Sequence, residues 1–217
     1  MKILAIDTST EYMSIAVTDG KRVIVKFHKK TPMSHSRLLM PMIDKTLKKA
    51  RVRLSGIGCF AIGIGPGSFT GLRIGVATVK GLAFSTGKPI VAVPTLDVIA
   101  HNVKGFRGII CPVLDARKNK VYSCLYKSDG KSIKRISRYL LLPLAELLGK
   151  TQKYDNLLFL GDAAYLVGDG YKKLSWHPRA EIVAALGMEA FKKKRFVSAE
   201  DLEPMYLYSK ECDIKGI

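Results

Sequence analysis

Lys2-Ile3-Leu4-Ala5-Ile6-Asp7-Thr8 opens the chain as a short apolar run that ends on an aspartate, the pattern of a buried strand. Tyr12 to Thr18 predicts a second strand and Val23 to Phe27 a third. Asp19-Gly20 between them suits a two-residue hairpin, whose turn positions need φ > 0. From Ser34 onward, Leu38, Leu39, Met42, Ile43 and Leu47 recur on one helical face. Pro41 is expected to end or bend that helix unless the first turn lies just before it. Gly58 to Ile64 predicts another strand, followed by a glycine-rich loop and a helix over 69–86, which Gly87 and Pro89 stop. A strand over 90–93 and a short helix over 95–100 complete this part.

The opening move then recurs. Ile109-Ile110-Cys111-Pro112-Val113-Leu114-Asp115 is again an apolar strand ending on aspartate, with Val121 to Tyr126 as the next strand. Asp-Gly stands 12 residues after Asp7 and 14 after Asp115. Each series continues into a helix, 144–148 in the second, and an apolar strand ending in glycine, at Ile64-Gly65 and at Leu160-Gly161. A duplicated β-β-β-α-β unit with a trimmed second copy accounts for this, the alternative being chance similarity of two short segments. The expectation is an α/β protein of two lobes, 1–104 and 105–217. The second includes a helix over 180–194 and an irregular tail over 196–217.

Of 217 residues, 47% are hydrophobic and 25% charged, which excludes disordered and collagen-like classes. No apolar run reaches the ~20 residues of a membrane helix, and Asp7 comes too early for a secretory signal. Cys59, Cys111, Cys124 and Cys212 form no CxxC pair, so a reducing, cytoplasmic setting is expected. Lys plus Arg outnumber Asp plus Glu by 36 to 18, and the excess is spread, 15 against 5 in 1–100 and 21 against 13 in 101–217. Such a field favours polyanions such as RNA; a lysine-rich proteome would produce it too.

Gly65-Pro66-Gly67-Ser68-Phe69-Thr70-Gly71-Leu72-Arg73 carries most of the chemical information. Glycines before a helix N-terminus can let a phosphate approach, or make a tight structural turn; no Gly-Lys-Ser/Thr follows, so this is not a Walker loop. Asp7 and Asp115, ending equivalent strands, can hold a metal–nucleotide across an interlobe cleft, or cap turns. The candidate phosphate contacts are therefore Asp7, Thr8, Ser9, Gly65, Gly67, Ser68 and Asp115, with Thr10 beside them. Gly71 and Gly75, with Ala77 and Gly81 nearby, permit close helix approach within the chain or to another. His35 has Leu39 where a paired ligand would stand, and His28, His101 and His177 lack partners at ligand spacing, so no metal site is expected. No Ser/His/Asp order or GxSxG motif occurs, and no catalytic residue is predicted. Lys192-Lys193-Lys194-Arg195 fits a solvated helix C-terminus or an RNA contact.

Taken together these blocks resemble the TsaB (YeaZ) family of tRNA threonylcarbamoyladenosine biosynthesis proteins, over nearly the whole chain. The resemblance rests on Ile3 to Thr10, His35-Ser36-Arg37-Leu38-Leu39 with Pro41-Met42-Ile43, and Gly65 to Ala77 with Lys80-Gly81-Leu82-Ala83. Asp115-Ala116-Arg117 with Val121-Tyr122, and Pro204-Met205-Tyr206-Leu207, complete it. It implies an actin-like ATPase (sugar kinase-like) fold of two ribonuclease H-like lobes, the second reduced. It also implies a non-catalytic scaffold that pairs with TsaD, the subunit that moves the threonylcarbamoyl group onto adenosine beside the anticodon. A small ATPase, TsaE, would join the pair, tRNA would be met through the complex, and the free protein would be a homodimer. Pairing would use the helices over 36–50 and 69–86, with Leu39, Met42, Ile43, Gly71, Gly75, Val76 and Val79 as interface candidates. TsaD-like proteins bind metal through a His-x-x-x-His pair that this chain lacks, which argues that it is not itself the transferase; no cofactor is expected beyond weak or vestigial ATP or ADP binding at a partner interface. Tyr208 stands where the family often has arginine. The alternatives are an ATP-dependent phosphotransferase or ATPase working through Asp7, Asp115 and the glycine loop, and, more weakly without HExxH, a metalloprotease.

Overall fold

Along Lys2–Asp7 (β1) successive side chains point to opposite faces, and both faces are covered: Leu4 and Ile6 enter one buried cluster, Ile3 and Ala5 another. The computed structural model describes residues 1–208. Strand β1 pairs antiparallel with β2 (Tyr12–Asp19), and β2 antiparallel with β3 (Arg22–Lys30). On its other side β1 runs parallel to β4 (Cys59–Gly63), which runs parallel to β5 (Ile90–Val93), giving the order β3-β2-β1-β4-β5. The Leu4/Ile6 face packs against α1 (His35–Ala50) and α2 (Phe69–Thr86), through Leu39, Ile43 and Leu47 of one and Val76, Val79 and Leu82 of the other. Pro41 lies inside α1 and does not end it. Pro41 and Arg37 are both exposed, so the carbonyl that loses its helical donor lies on the solvated side. Gly87 at φ 65° closes α2 as expected. A short α3 (Thr95–Ala100) follows β5.

The second unit repeats this wiring. Strand β6 (Arg107–Asp115) pairs antiparallel with β7 (Lys120–Ser123). A hairpin of β8 (Tyr126–Asp129) and β9 (Ile133–Arg135) follows, with β8 laid along the first half of β6. Strand β10 (Leu140–Pro143) then pairs with β7, helix α4 (Leu144–Thr151) leads to β11 (Leu157–Leu160) parallel to β6, and β12 (Lys172–Leu174) runs parallel to β11. The order β10-β7-β6-β11-β12 reproduces β3-β2-β1-β4-β5. The expected equivalence of the two Asp-Gly turns needs correction. Asp129-Gly130 closes the inserted β8–β9 hairpin, and the counterpart of β3 is β10. Between β11 and β12 stands only a 3-10 turn, Ala164–Leu166, where the first unit has α2, so the second copy is reduced.

The expected division at 104/105 is also corrected. Met1–Asn102 and His177–Pro204 form one compact unit, and Val103–Trp176 with the chain from Met205 the other. The reason is the second face of the first sheet. Without α5 (Ala180–Lys192), the side of β1, β4 and β5 that carries Ile3, Ala5, Ala61 and Val91 would lie open; Ala180, Val183 and Ala184 cover it. The Ala180 N–H donates to Ser14 Oγ (2.8 Å) and Lys26 pairs with Glu181 (2.8 Å). Residues 196–204 are not a loose tail: Val197 N–H donates to the Ile90 carbonyl, extending the sheet, and Leu202 is buried in the α1/α2 core. The remainder of the expected tail, 209–217 with Cys212, lies outside the described residues.

Cys59, Cys111 and Cys124 are buried free thiols, and burial pushes Cys59 and Cys111 up to about 12. Lys192 to Arg195 end α5 on exposed or nearly exposed positions, where cations complement the helix dipole. Among the described residues no helix is long and apolar enough to cross a membrane.

Gly187 sets the approach of α5 to the sheet: a Cβ there would stand 2.8 Å from Ala61 Cβ, whereas one at Gly81 of α2 meets nothing within 4 Å. Gly187→Leu is expected to lose ~1–3 kcal/mol of stability by overpacking, and Gly81→Ala to gain ~0.5–1 kcal/mol. Urea unfolding of the two variants checks both; equal midpoints would refute the close packing of α5.

Candidate functional site

Four glycines at intervals of four residues, Gly63, Gly67, Gly71 and Gly75, run from the end of β4 through the loop into α2, and each faces the turn that follows β1. A Cβ at Gly63 would collide with the Asp7 carboxylate, one at Gly67 with the Ser9 carbonyl, one at Gly71 with the Thr8 carbonyl, and one at Gly75 with the Thr8 hydroxyl. The contact is tied by hydrogen bonds. Thr8 Oγ1 donates to the Gly71 carbonyl (2.8 Å) and the Ser68 N–H to the Ser9 carbonyl (2.7 Å). Gly65 exchanges two bonds with Thr95, its N–H donating to Thr95 Oγ1 (3.0 Å) and its carbonyl accepting from the Thr95 N–H (2.7 Å). Ser68 caps α2 by accepting from the Gly71 N–H.

The groups proposed as phosphate contacts are thus engaged with one another. Asp7, Thr8, Ser9 and Gly65 are buried, Gly67 is partly so, and Ser68 is exposed. Asp7 Oδ1 accepts from both the Ser9 N–H (2.9 Å) and the Ser9 hydroxyl (2.7 Å); Oδ2 is buried with no hydrogen-bond partner. Burial raises the Asp7 carboxyl to about 6, against the opposing pull of the two Ser9 bonds. Of the two readings of the loop, the tight structural turn is the one these contacts describe. The hydroxyls of Thr8 and Ser9 donate inward, and the glycines are filled by the β1 turn.

Asp115 lies in the second unit and is placed differently from Asp7. Its side chain is 38% exposed, and its carboxylate accepts the Arg117 N–H (2.7 Å) and faces the Arg117 guanidinium at 3.5 Å. It caps the turn Arg117-Lys118-Asn119, three non-glycine residues at φ 65°, 51° and 59°. Tyr208, at the position of the family's arginine, donates its hydroxyl to the Ala116 carbonyl beside that turn (2.9 Å).

The interface candidates also need correction. Leu39, Ile43, Val76 and Val79 belong to the core between the helices and the sheet, with Met42 packed against it. Gly71 and Gly75 face Thr8. None of these lies on the outer surface of the helix pair except half-buried Met42. The close approach that the small residues foretold is real, but it is made within the chain. The outer face of α2 is a different stripe at helical spacing, Ala77, Gly81 and Phe84, all exposed, with half-buried Ile74 at its edge, packed against the core. Phe84 is 81% exposed, and Met40 on α1 is 50% exposed. The signal was present, since 74, 77, 81 and 84 keep 3–4 spacing, but the more glycine-rich stripe drew attention to the inner face.

Comparison with known proteins places this geometry. Residues 29–195 match the family model described as TsaD: tRNA N6-adenosine threonylcarbamoyltransferase. The tRNA threonylcarbamoyladenosine biosynthesis protein TsaB of Bacillus subtilis is 32% identical over 100% of this chain and 98% of its own. The chain belongs to the TsaB family. The structure of YeaZ from Pseudomonas aeruginosa matches with TM-score 0.83 at 30% identity, over 95% of this chain and 100% of that one. An activator of 2-hydroxyisocaproyl-CoA dehydratase from Clostridium difficile, solved with bound ADPNP, matches with TM-score 0.54 at 8% identity over 95% of this chain and 100% of that one. That last likeness is one of fold alone, and the fold is the actin-like ATPase, sugar kinase-like one.

In this TsaB-family chain the position four residues after His35 is Leu39, only 1% exposed within an apolar cluster. Among the described residues no three His, Cys, Asp or Glu side chains converge on a metal-sized site. Three histidines do gather around one residue, which their spacing in sequence hid. The Tyr12 ring stacks between His28 (5.0 Å) and His177 (3.9 Å), and His35 is hydrogen-bonded to the Tyr12 backbone. Burial holds all three imidazoles below their ordinary pKa.

Because Asp7 titrates higher in the folded chain than its ordinary 3.8, the folded state keeps a proton between about pH 4 and pH 6 that the unfolded chain releases. The associated stability is full below pH 4 and is lost as pH rises through 6, an effect of about 3 kcal/mol. Asp7→Asn is expected to remove that part of the slope. Unfolding free energies from pH 4 to pH 7 test it, and parallel profiles for the two proteins would refute it. Gly75→Arg, in turn, should prevent the first unit from folding, read as loss of the cooperative thermal transition.

Proposed function

We propose that this protein is a non-catalytic partner of a TsaD-like transferase in forming N6-threonylcarbamoyladenosine next to the anticodon of tRNAs. The observation that carries the reading is the outer stripe of α2. Exposed Ala77 and Gly81 leave the backbone approachable, exposed Phe84 and half-buried Ile74 border them on α2, and α1 exposes Met40. Small residues between larger apolar ones are what a close helix crossing needs, and exposed aromatic and methionine side chains are enriched where proteins meet. A second copy of this chain offers the same stripe, so a homodimer would form in the partner's absence.

The non-catalytic assignment is supported by the β1 turn, whose hydroxyls and glycines are committed to holding α2 in place. On this reading the chain needs no nucleotide of its own. The transferase supplies the chemistry, a TsaE-like ATPase acts on the assembled pair, and tRNA is met through the complex in the cytoplasm.

An omission assay tests the role. The transferase, TsaE, ATP, tRNA and the enzyme that forms threonylcarbamoyl-adenylate are combined with and without this protein, all from one species. Modified tRNA is expected only in its presence; full modification without it would end the reading. The double variant Ala77→Arg/Gly81→Arg is expected to weaken co-elution with the transferase by about tenfold or more, with an unchanged melting temperature. Undiminished pairing of the folded variant would move the interface elsewhere.

A further inference from the structure

In the first unit β1, β4 and β5 run parallel and so begin at one end of the sheet, and the chain returns to that end three times. After α1 it comes back through Arg51 to Gly58, whose N–H donates to the Lys2 carbonyl (2.9 Å) at the head of β1. After α2 it comes back through Lys88-Pro89, where the Pro89 carbonyl accepts from the Phe60 N–H (3.0 Å). Helix α5 starts at the opposite end, where Ala180 meets Ser14, the residue paired with Asp7. It finishes at this end, because Val197 pairs with Ile90 at the head of β5. Lys49, Arg51 and Arg53 of the first return, Lys88 of the second and Lys192 to Arg195 of the third therefore share one end of the unit. That end is roughly 20 Å wide, five strands at ~4.8 Å spacing.

All of these cations are exposed except Lys88, which is partly so, and among the described residues none of them forms an ion pair. The nearby carboxylates are mostly engaged. Asp19 holds the Met1 amine (2.9 Å) and Lys2 (3.9 Å), Asp44 holds Lys48 (2.6 Å), and Asp201 accepts from the Ser198 hydroxyl (2.8 Å), which leaves Glu189, Glu200 and Glu203. Beyond Tyr208 the sequence holds Lys210 and Lys215 against Glu211 and Asp213, so those side chains bring no net charge to set against the excess. Helix dipoles do not account for it either, since each of the three helix ends calls for about half a charge.

We infer that this end of the first unit binds the phosphate backbone of folded RNA. Cations brought to one level on both faces of a sheet present a broad positive surface, which suits a ligand whose charges repeat along a strand. Arg51 and Arg53 offer forks that match a phosphate in two-point contact, and the lysines add point charges on flexible stems. Basic surfaces bind anionic bilayers firmly when apolar side chains insert beside the charges; here Val52, Leu54 and Val197, which lie among the cations in sequence, pack inward on the core. Lys192 to Arg195 end a helix on the sheet face opposite α1 and α2, so a partner docked on the outer stripe of α2 leaves them free. The choice of RNA as the polyanion rests on the proposed role in tRNA modification, to which it adds a direct contact by this chain; the convergence of charge does not depend on that role.

The test is binding of a fluorescein-labelled, unmodified tRNA transcript to the full-length protein, followed by anisotropy at several salt concentrations. Arg51→Glu/Arg53→Glu and Lys193→Glu/Lys194→Glu are each compared with Lys131→Glu/Lys134→Glu, which makes the same change of net charge on the β8–β9 hairpin of the second unit. Each variant of the basic end is expected to bind about tenfold or more weakly, with the hairpin variant within about twofold of the parent, and to lose about 1.5 from the log–log salt slope, two phosphate contacts at ~0.7–0.9 each. Equal weakening of all three variants, or no binding by the parent protein, would overturn the inference. So would vesicles of equal parts phosphatidylcholine and phosphatidylserine that displace the transcript as well as unlabelled tRNA does. Because acidic residues at a helix C-terminus also weaken the helix, Lys193→Gln/Lys194→Gln and acetylation footprinting of the parent protein give readouts independent of that cost. The neutral pair should still bind more weakly than the parent, and unchanged binding refutes the contact. Protection of Lys49, Lys88 and Lys193 by bound tRNA supports it, and protection confined to lysines of the second unit refutes it. A parent protein that fails to bind tRNA while the omission assay succeeds sinks only this contact. Binding that depends on the basic end, with a failed omission assay, sinks only the role in modification.

Discussion

The contact on which the first unit depends is the seating of the glycine run on the turn after β1. Gly63, Gly67, Gly71 and Gly75 each lie where a side chain would strike Asp7, Thr8 or Ser9. Removing side chains at four-residue intervals brings the backbone of α2 against the backbone of the turn, and the Thr8–Gly71 and Ser68–Ser9 hydrogen bonds then fix its height. The rotation of α2 follows from the same constraint. With 71 and 75 turned inward and Val76 and Val79 packed on the sheet, 77, 81 and 84 must face outward, since helical residues separated by about half a turn lie on opposite sides. The outer stripe is a geometric consequence of the inner one.

The same seating turns the polar groups of the β1 turn toward the loop and α2. Catalytic or binding use of such a loop requires donors aimed outward. In this chain the hydroxyls of Thr8 and Ser9 are spent on the Gly71 carbonyl and the Asp7 carboxylate, and the carboxylate has one oxygen sealed against Gly63. A buried carboxylate with a single satisfied oxygen is a destabilising element near neutral pH, partly offset by the Ser9 bonds. These contacts of the loop position α2.

Much of the architecture could be read from the residues alone because it is local. The two apolar strands ending on Asp7 and Asp115 and the glycine-stopped helix over 69–86 are set by periodicity and turn chemistry, and the repeated sheet order confirms the duplication. Apart from Pro41, which α1 tolerates, the errors are of one kind, in that they concern partners distant in sequence. Nothing within Ala180 to Lys192 says that it covers Ala5 and Ala61 rather than the strands that precede it. The second Asp-Gly turn has the right chemistry for a hairpin but belongs to an insertion, and β10 announces itself only as a short leucine run. At the site, the spacing of Gly71 and Gly75 correctly signals close approach, yet spacing cannot distinguish a turn 63 residues upstream from another molecule. His28, His35 and His177 likewise show no spacing in sequence; Tyr12 assembles them through the strand pairing of β2 with β3 and the return of the chain at 177.

The two units have diverged from one plan in opposite directions. In the first, the strand-end aspartate is buried and the region after β4 has become a long helix locked in place by glycines, so its remaining outward feature is an apolar stripe. In the second, the equivalent aspartate is exposed and caps a turn of three left-handed residues, no helix stands between β11 and β12, and the outward feature is a basic groove beside an edge strand. An unpaired strand edge invites indiscriminate pairing unless charge or a covering segment blunts it. Beside β10 the exposed cations of Arg138 and Lys150 and the chain at Leu207–Tyr208 do that.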